Sequence, residues 1–385
     1  MTTVEPSARV SPVREVLFYF LRLGVIAFGG PAAHIAIMRR ELVQQRGWVT
    51  DSEFLDLLGA TNLIPGPNST EMTMHLGHRR AGWAGLWLGG ACFIVPAVAI
   101  TLVLAWAYVR YGDTPAGEAL ITGIQPLILA VILQAIWGLR RAAVKGVATA
   151  VVGLAVVALA LAGVSEIVLI LGSGLVLLAW HLLRLGGANA MLFLPALGVS
   201  PFANMAREPG DHSALSIFLI FAKIGSVLYG SGYVLLAFIQ SEFVEQRQWL
   251  TKTELVDSIS AGQFTPGPVF STATFVGYLL GGFPGAGAAT AGIFLPSFLF
   301  VMASARLVPK LRRYPWTAHF LDGVNVAALA LMGVVSVTLA REALDTAFAA
   351  GLFAAGALVL VRYNPNSAWL VLAGAVAGIA HAAVT

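Results

Sequence analysis

Charge is what this sequence has least of. Asp, Glu, Lys and Arg make up 11% of its 385 residues, against roughly 25% in an ordinary soluble domain. Apolar residues reach 58%, and the mean hydropathy is +0.83. So few charges cannot build a polar shell, which excludes a soluble globular protein and leaves a bilayer as the solvent. Cysteine is down to Cys92, so an internal disulfide and a Cys-rich metal site are excluded. That residue sits beside Phe93 and Ile94 and reads as packing. No P-loop, GxSxG, HExxH or dinucleotide fingerprint occurs, so ATP hydrolysis is not expected and the chain does not read as an enzyme. His34, His75 and His78 lack metal-ligand spacing, and no metal or cofactor is expected. The net charge of +4 and pI near 9.4 would suggest nucleic acid in a soluble protein. Here the cations fall in short loops between apolar runs, where they orient helices, and no nucleic-acid partner is expected. Residues 1–15 are polar, and the apolar run from about Val16 lacks a signal-peptidase pattern, so the first helix is expected to be retained.

What is present is a series of apolar runs. A span needs about 20 mostly apolar residues, and ten runs qualify: 16–38, 83–108, 117–139, 144–163, 166–183, 214–241, 284–305, 318–340, 346–361 and 367–384. Stretches 53–78 and 253–280 are interrupted by Pro65-Gly66-Pro67 and Pro266-Gly267-Pro268, which cannot continue an α-helix.

The chain also repeats itself. With a shift of 201 positions, Glu41, Val43, Gln45, Arg46, Trp48, Thr50, Glu53, Asp56, Ala60 and the PGP recur as Glu242, Val244, Gln246, Arg247, Trp249, Thr251, Glu254, Asp257, Ala261 and the second PGP. Gly24 and Gly29 map onto Gly225 and Gly230. Past the PGP the shift falls by one, matching Gly77, Gly85 and Pro96 to Gly277, Gly285 and Pro296. Two greasy segments aligned by chance would share Leu and Val, not polar residues and tryptophans. The expected organisation is a first repeat at 1–185, a linker at 186–213 and a second repeat at 214–385.

Basic clusters lie at Arg39, Arg40 and Arg46, at Arg79 and Arg80, and at Arg140, Arg141 and Lys145. The strongest in the second half is Arg306, Lys310, Arg312 and Arg313. They fall on opposite sides of corresponding helices, which favours inverted repeats. If Arg39–Arg46 and Arg79–Arg80 share one face, 53–78 enters and leaves there as a re-entrant hairpin, and 253–280 dips in from the other face. The expected fold is therefore an all-α polytopic membrane protein with two inverted repeats, about ten spanning helices and two re-entrant PGP hairpins. Twelve complete spans with proline kinks is the alternative.

Helix breaks deep in a bilayer are tolerated where protein or water lines a cavity. Each restart after a break presents free N–H groups and a positive dipole end, which suit an anion. The candidates are Gly29, Gly30 and Pro31, then Pro65, Gly66 and Pro67 with Asn68 and Ser69, then Pro266, Gly267 and Pro268 with Ser271. Arg22 and Lys223 occupy equivalent places inside apolar runs, where cations mark a pathway or partner unless they snorkel to the interface. Asn62 and its counterpart Gln263 complete the polar set. Glu71, with Thr272 as its mate, could exchange protons; facing water or pairing with an Arg is the plainer alternative. Trp48 and Trp249 suit an interfacial belt.

Phe28-Gly29-Gly30-Pro31, the stretch Glu41 to Trp48, and the Pro65-Gly66-Pro67 segment with its sequel to Pro96 resemble the chromate ion transporter family. The block recurs over Gly225–Pro296, with Tyr229-Gly230-Ser231-Gly232 in place of FGGP, as in that family's long two-domain form. The resemblance implies chromate efflux across a bacterial inner membrane, driven by the proton gradient, the membrane potential or anion exchange, with sulfate as the look-alike substrate. The expected partners are the bilayer and a tetrahedral oxyanion, with a homodimer left open. An uncoupled anion channel and a non-transporting scaffold are the competing classes.

Overall fold

The computed structural model describes residues 11–28, 30–184, 212–229, 234–311, 316–363, 365 and 367–384. Outside them lie Gly29, Gly230, Ser231, Gly232, nearly all of the inter-repeat linker, Arg312 and Arg313, and the side chains of Arg306 and Lys310. Every element among the described residues is helical.

The chain opens with α1 (Pro12–Ile26), α2 (Gly30–Met38) and a π-helical turn, Arg39–Gln45. Here the structure divides the expected span 16–38: α1 stops at Ile26, and Ala27 is extended. After the loop, Thr50 and Glu53 form a capping box that starts α3 (Asp51–Thr61), and Thr251 and Glu254 form the same box on α10 (Lys252–Phe264). The recurring T-x-x-E in both repeats thus has a local physical cause.

Beyond the first PGP runs α4 (Asn68–Tyr111), which is broken at Ala81 and Gly82. A Cβ on Gly77 would strike the Gly85 carbonyl, one on Gly85 the Gly77 carbonyl, and one on Gly89 the Thr73 carbonyl. The limbs 68–80 and 83–111 therefore fold back on each other, with glycines where the backbones touch. In the second repeat, α11 (Thr272–Leu311) breaks at Gly281 and Gly282 and packs Gly277 against Gly285 in the same way. A short 3-10 turn, Val269–Ser271, replaces the first α-turn there. That tightening absorbs the residue lost from the register past the PGP. Counted back along continuous helix from Gly77 and Gly277, the mate of Glu71 is Ser271, not Thr272 as the 201-residue shift suggests.

The remaining helices are α5 (Pro115–Ala143), α6 (Val147–Leu161), α7 (Glu166–Arg184), α8 (Ala214–Val227), α9 (Leu235–Ile239) with a second π turn at Gln240–Gln246, α12 (Trp316–Ala343), α13 (Ala347–Tyr363) and α14 (Ser367–Ala382). The repeats exchange partners. α5 packs against α13 and α14, while α12 packs against α6 and α7. Each half packs its first helix on its own folded-back limbs, α1 on α4 and α8 on α11, and the exchanged helices bury further apolar surface between the halves.

Among the described residues, five helices are long and apolar enough to cross a membrane, where the sequence suggested ten spans. Several others are apolar but short. α6, at 15 residues, extends about 22 Å, less than the roughly 30 Å hydrocarbon core.

Two cross-links orient the PGP segments. Arg79 pairs with Glu53, so the start of α3 meets the end of limb 68–80. The Tyr108 hydroxyl, near the far end of limb 83–111, donates to Asp257 of α10 at 2.9 Å. The segments are also unequally covered. Residues 255–263 of α10 are all buried beneath α5, α12 and α14, whereas Leu55, Gly59 and Asn62 line an exposed face at the α3 end. A cysteine at Asn62, in a Cys92→Ser background, should therefore react readily with a maleimide in detergent solution, and one at Gln263 should not. Equal reaction rates would contradict the asymmetry.

Candidate functional site

The two PGP tips meet the interrupted first helices of opposite repeats. Gly66 N–H donates to the Leu228 carbonyl at 2.7 Å, and Gly267 N–H donates to the Ala27 carbonyl at 2.9 Å. Ala27 and Leu228 are the C-cap positions of α1 and α8 and are related by the 201-residue shift. A helix end leaves carbonyls without partners, and each tip satisfies one of them in the other half. The tip glycine N–H groups are thus committed to protein. His34 Nε2 lies 3.0 Å from the same Ala27 oxygen. Its second-repeat equivalent is Leu235, so this contact exists in one half.

The open polar groups lie just past the first tip. Limb 68–80 begins after Pro67 with no side-chain cap, so its first-turn N–H groups lack helical acceptors. Asn68 donates to the Asn62 side chain at 2.7 Å, yet Asn68 Oδ1 has no partner. Thr70 Oγ1, both Glu71 carboxyl oxygens and Ser297 Oγ are also buried without a well-formed hydrogen bond, as is Gln263 Nε2 on α10, ahead of the second tip. Ser69 is buried beside Thr70. A methyl group on Gly66 would collide with Glu71 Oε1 and Ser297 Oγ, so tip, carboxyl and hydroxyl form one contact. Buried polar atoms are normally satisfied, so such a cluster calls for a water, a ligand or a proton.

The second tip is quieter. A methyl on Gly267 would meet Ala97 and the carbonyls of Gly24 and Phe93. Ser271 accepts a hydrogen bond from Thr101 at 3.1 Å. Pro65, Pro67, Pro266 and Pro268 frame the two tips, and Gly30 and Pro31 start α2 beyond the first helix break. Gly29 lies outside the described residues.

Arg22 and Lys223 do not stand as bare cations. Arg22 pairs with Glu41 at 3.3 Å and Lys223 with Glu242 at 2.6 Å, each partner 19 residues on. Glu242 also binds Arg247. The Arg22 side chain is 56% exposed and that of Lys223 18%. Both pairs were within reach of the sequence, since all four residues recur under the shift. Ser297, the Ala27 and Leu228 carbonyls and the Asp257 contacts were not, because they join segments far apart in the chain.

A cavity of about 620 Å³ opens beside Tyr108, Gln125 and Asp257, and Gln125 Nε2 donates to Asp257 at 2.7 Å. Asp113, Glu118 and Glu254 line it with Asp257, and no Lys or Arg does. Its field repels anions. Among the described residues no cluster of His, Cys, Asp and Glu could hold a metal ion.

Comparison with known proteins follows this symmetry. A family model described as "Chromate transporter" matches residues 14–178 and again 215–379, offset by 201 residues at both ends. The chain is 32% identical to a "Chromate transport protein" of Cupriavidus metallidurans, over 97% of this chain and 95% of that protein. It is 32% identical to a "Probable chromate transport protein" of Synechococcus elongatus, covering 86% of each. With a "Chromate transport protein" of Pseudomonas aeruginosa it shares 30% identity over 93% of this chain and 90% of the relative. No solved structure matches the chain.

Proposed function

Because the chain belongs to the chromate transporter family, we propose that it is a secondary transporter that moves a tetrahedral oxyanion, chromate first, out across a bacterial inner membrane. The observation that carries this reading is the crossed pair of hydrogen bonds, Gly66 to Leu228 and Gly267 to Ala27. They tie both PGP tips to interrupted helices of the opposite repeat, beside unsatisfied buried polar groups at a helix start. Secondary transporters build midplane sites in this manner, from discontinuous helices at the junction of inverted repeats.

In this reading PGP segments 53–78 and 253–280 are re-entrant hairpins from opposite faces, and the repeats are inverted. Glu53 meeting Arg79 and Asp257 meeting Tyr108 support it. First-turn N–H groups at Asn68 and Ser69, with the Asn62, Gln263 and Ser271 side chains, receive the oxyanion. Arg22 and Lys223, each held by a glutamate, set the field around the site rather than clamping the anion. The bilayer is the other partner, and a homodimer is compatible with the exposed apolar helices.

Glu71 is the coupling group. It has no ion-pair partner among the described residues. The groups facing it are Ser297 from α11, Tyr229 after α8 and His75 one turn along its own limb. An ionised Glu71 repels a dianion, whereas a protonated one offers it an O–H donor. Proton and anion therefore bind together. The pair leaves with one net negative charge, so a membrane potential negative inside drives it by about 2.3 kcal/mol per 100 mV.

Proteoliposomes test the proposal. Labelled chromate, with sulfate as competitor, should show saturable flux that responds to imposed pH and potential, and chromate should bind more tightly as pH falls. Flux of neither anion would sink the oxyanion reading. Flux without saturation or coupling would make the protein a channel, and preference for sulfate would change the substrate. Glu71→Gln should bind chromate with little pH dependence; unaltered dependence would remove Glu71 from coupling.

A further inference from the structure

We propose that protons reach Glu71 along a file of side chains shared between the two repeats, running through Ser297, His75 and Ser304 to His78. The inference rests on the reading of Glu71 as the coupling group and adds the route by which its proton comes and goes.

Glu71, His75 and His78 stand at i, i+4 and i+7 of limb 68–80, which puts them on one helix face. Ser297 and Ser304 are seven residues apart on α11 and likewise share a face. The faces meet in register. Ser297 Oγ and Glu71 Oε1 crowd the same point over Gly66, and Ser304 Oγ lies 3.4 Å from His75 Nε2. Glu71 and Ser297 are fully buried, and His75 and Ser304 nearly so. His78 is half-buried at the limb's end, against Trp83 and next to Arg79 and Arg80, which pair with Glu53 and Glu15. The file thus leads from a sealed carboxyl to the charged end of the hairpin.

The second repeat shows that the fold does not require these groups. In the register set by Gly77 and Gly277, the equivalents of Glu71, His75 and His78 are Ser271, Phe275 and Tyr278. Those of Ser297 and Ser304 are Ala97 and Leu104. Where the first repeat places His75 against Ser304, the second packs Phe275 with Leu104 in an apolar cluster. The same backbone is built there with Phe, Leu and Ala in place of His75, Ser304 and Ser297. At His75, Ser297 and Ser304 the first assembly buries polar groups where the second has hydrocarbon, which answers to chemistry and not to packing.

Every member can accept a proton on one atom while releasing another. A hydroxyl does so by rotating, and an imidazole by exchanging between its two nitrogens. The Glu71 O–H gives its proton to Ser297 or to a bridging water, that oxygen passes one on to His75, and the other His75 nitrogen releases one toward His78. Each transfer breaks one bond to hydrogen and forms one, so the relay groups stay neutral, Glu71 is left as the carboxylate and the positive charge leaves with the proton at His78. Successive levels are about 6 Å apart at Cβ, a gap that one water bridges. Among the described residues, the groups facing His75 are Ser304 from α11 and His78 on its own limb, and Arg79 is the charge that acts on His78.

The test uses the full-length protein in liposomes loaded with a pH dye, recording proton and chromate flux together. His75→Phe and Ser304→Leu install the residues of the other repeat and so should fold. Each should slow proton-linked net flux by about tenfold or more, while chromate–chromate exchange, which needs no net proton movement, continues. Wild-type proton flux in both variants would overturn the route. If His75→Phe fails to fold, Ser304→Ala is read in the same way. Glu71→Gln separates the two ideas. Loss of proton linkage in Glu71→Gln with none in the His75 and Ser304 variants rejects the route alone. Retained linkage in Glu71→Gln rejects the coupling role and the route together.

Discussion

Glu242→Ala should cost about 3–5 kcal/mol of stability, while Glu41→Ala, its equivalent in the first repeat, should cost about 1 kcal/mol or less. Glu242 is buried between Lys223 and Arg247, and those side chains are 18% and 5% exposed. Removing the carboxylate takes from both cations the charge they share in a largely buried place. Arg247 also donates to the Glu242 carbonyl at 3.0 Å and lies over the Trp249 ring. Around Glu41 the partners are Arg22 and Arg40, with side chains 56% and 63% exposed. Both can snorkel to water when the carboxylate is lost. Half-loss temperatures of the two variants in detergent would check this; equal values would mean that exposure does not decide the cost.

Gly85→Val should prevent accumulation of folded protein in the membrane, an effect of roughly 3 kcal/mol or more. The added Cβ would meet the Gly77 carbonyl oxygen and carbon, and Ala81 at 2.9 Å. These are mostly backbone atoms of the opposing limb and cannot rotate away. The limbs would have to separate, which pulls 68–80 from its place and displaces the first PGP tip. Gly59 is the control, because a Cβ there meets nothing within 4 Å. Gly59→Ala should be tolerated or slightly stabilising, since glycine weakens a helix interior. Size-exclusion profiles of membrane extracts would distinguish the outcomes, and a normal profile for Gly85→Val would refute the folded-back limbs.

Much of the architecture was legible in the chain. Composition alone required a bilayer, because too few charges exist to clothe the apolar surface in water. The duplication was readable because polar residues and tryptophans recur at a fixed spacing, and the capping boxes at Thr50 and Thr251 could be read from four residues each. The PGP breaks followed from proline's missing N–H and fixed backbone angle.

Long-range pairing was decided only by the tertiary structure. Nothing local says that Gly66 N–H binds Leu228, that α5 lies against α13 and α14, or that Glu71 touches Ser297. Such contacts depend on how distant surfaces fit. The sequence presented Arg22 and Lys223 as cations at equivalent places inside apolar runs; folding gives each a glutamate from its own repeat. It also presented two equivalent repeats. The structure separates them, because a one-residue tightening after the second PGP sets Ser271 opposite Glu71, so this carboxyl beside the tip occurs in the first half alone. Local chemistry and the repeat are written along the chain, whereas which polar groups end up without a partner depends on the packing that surrounds them.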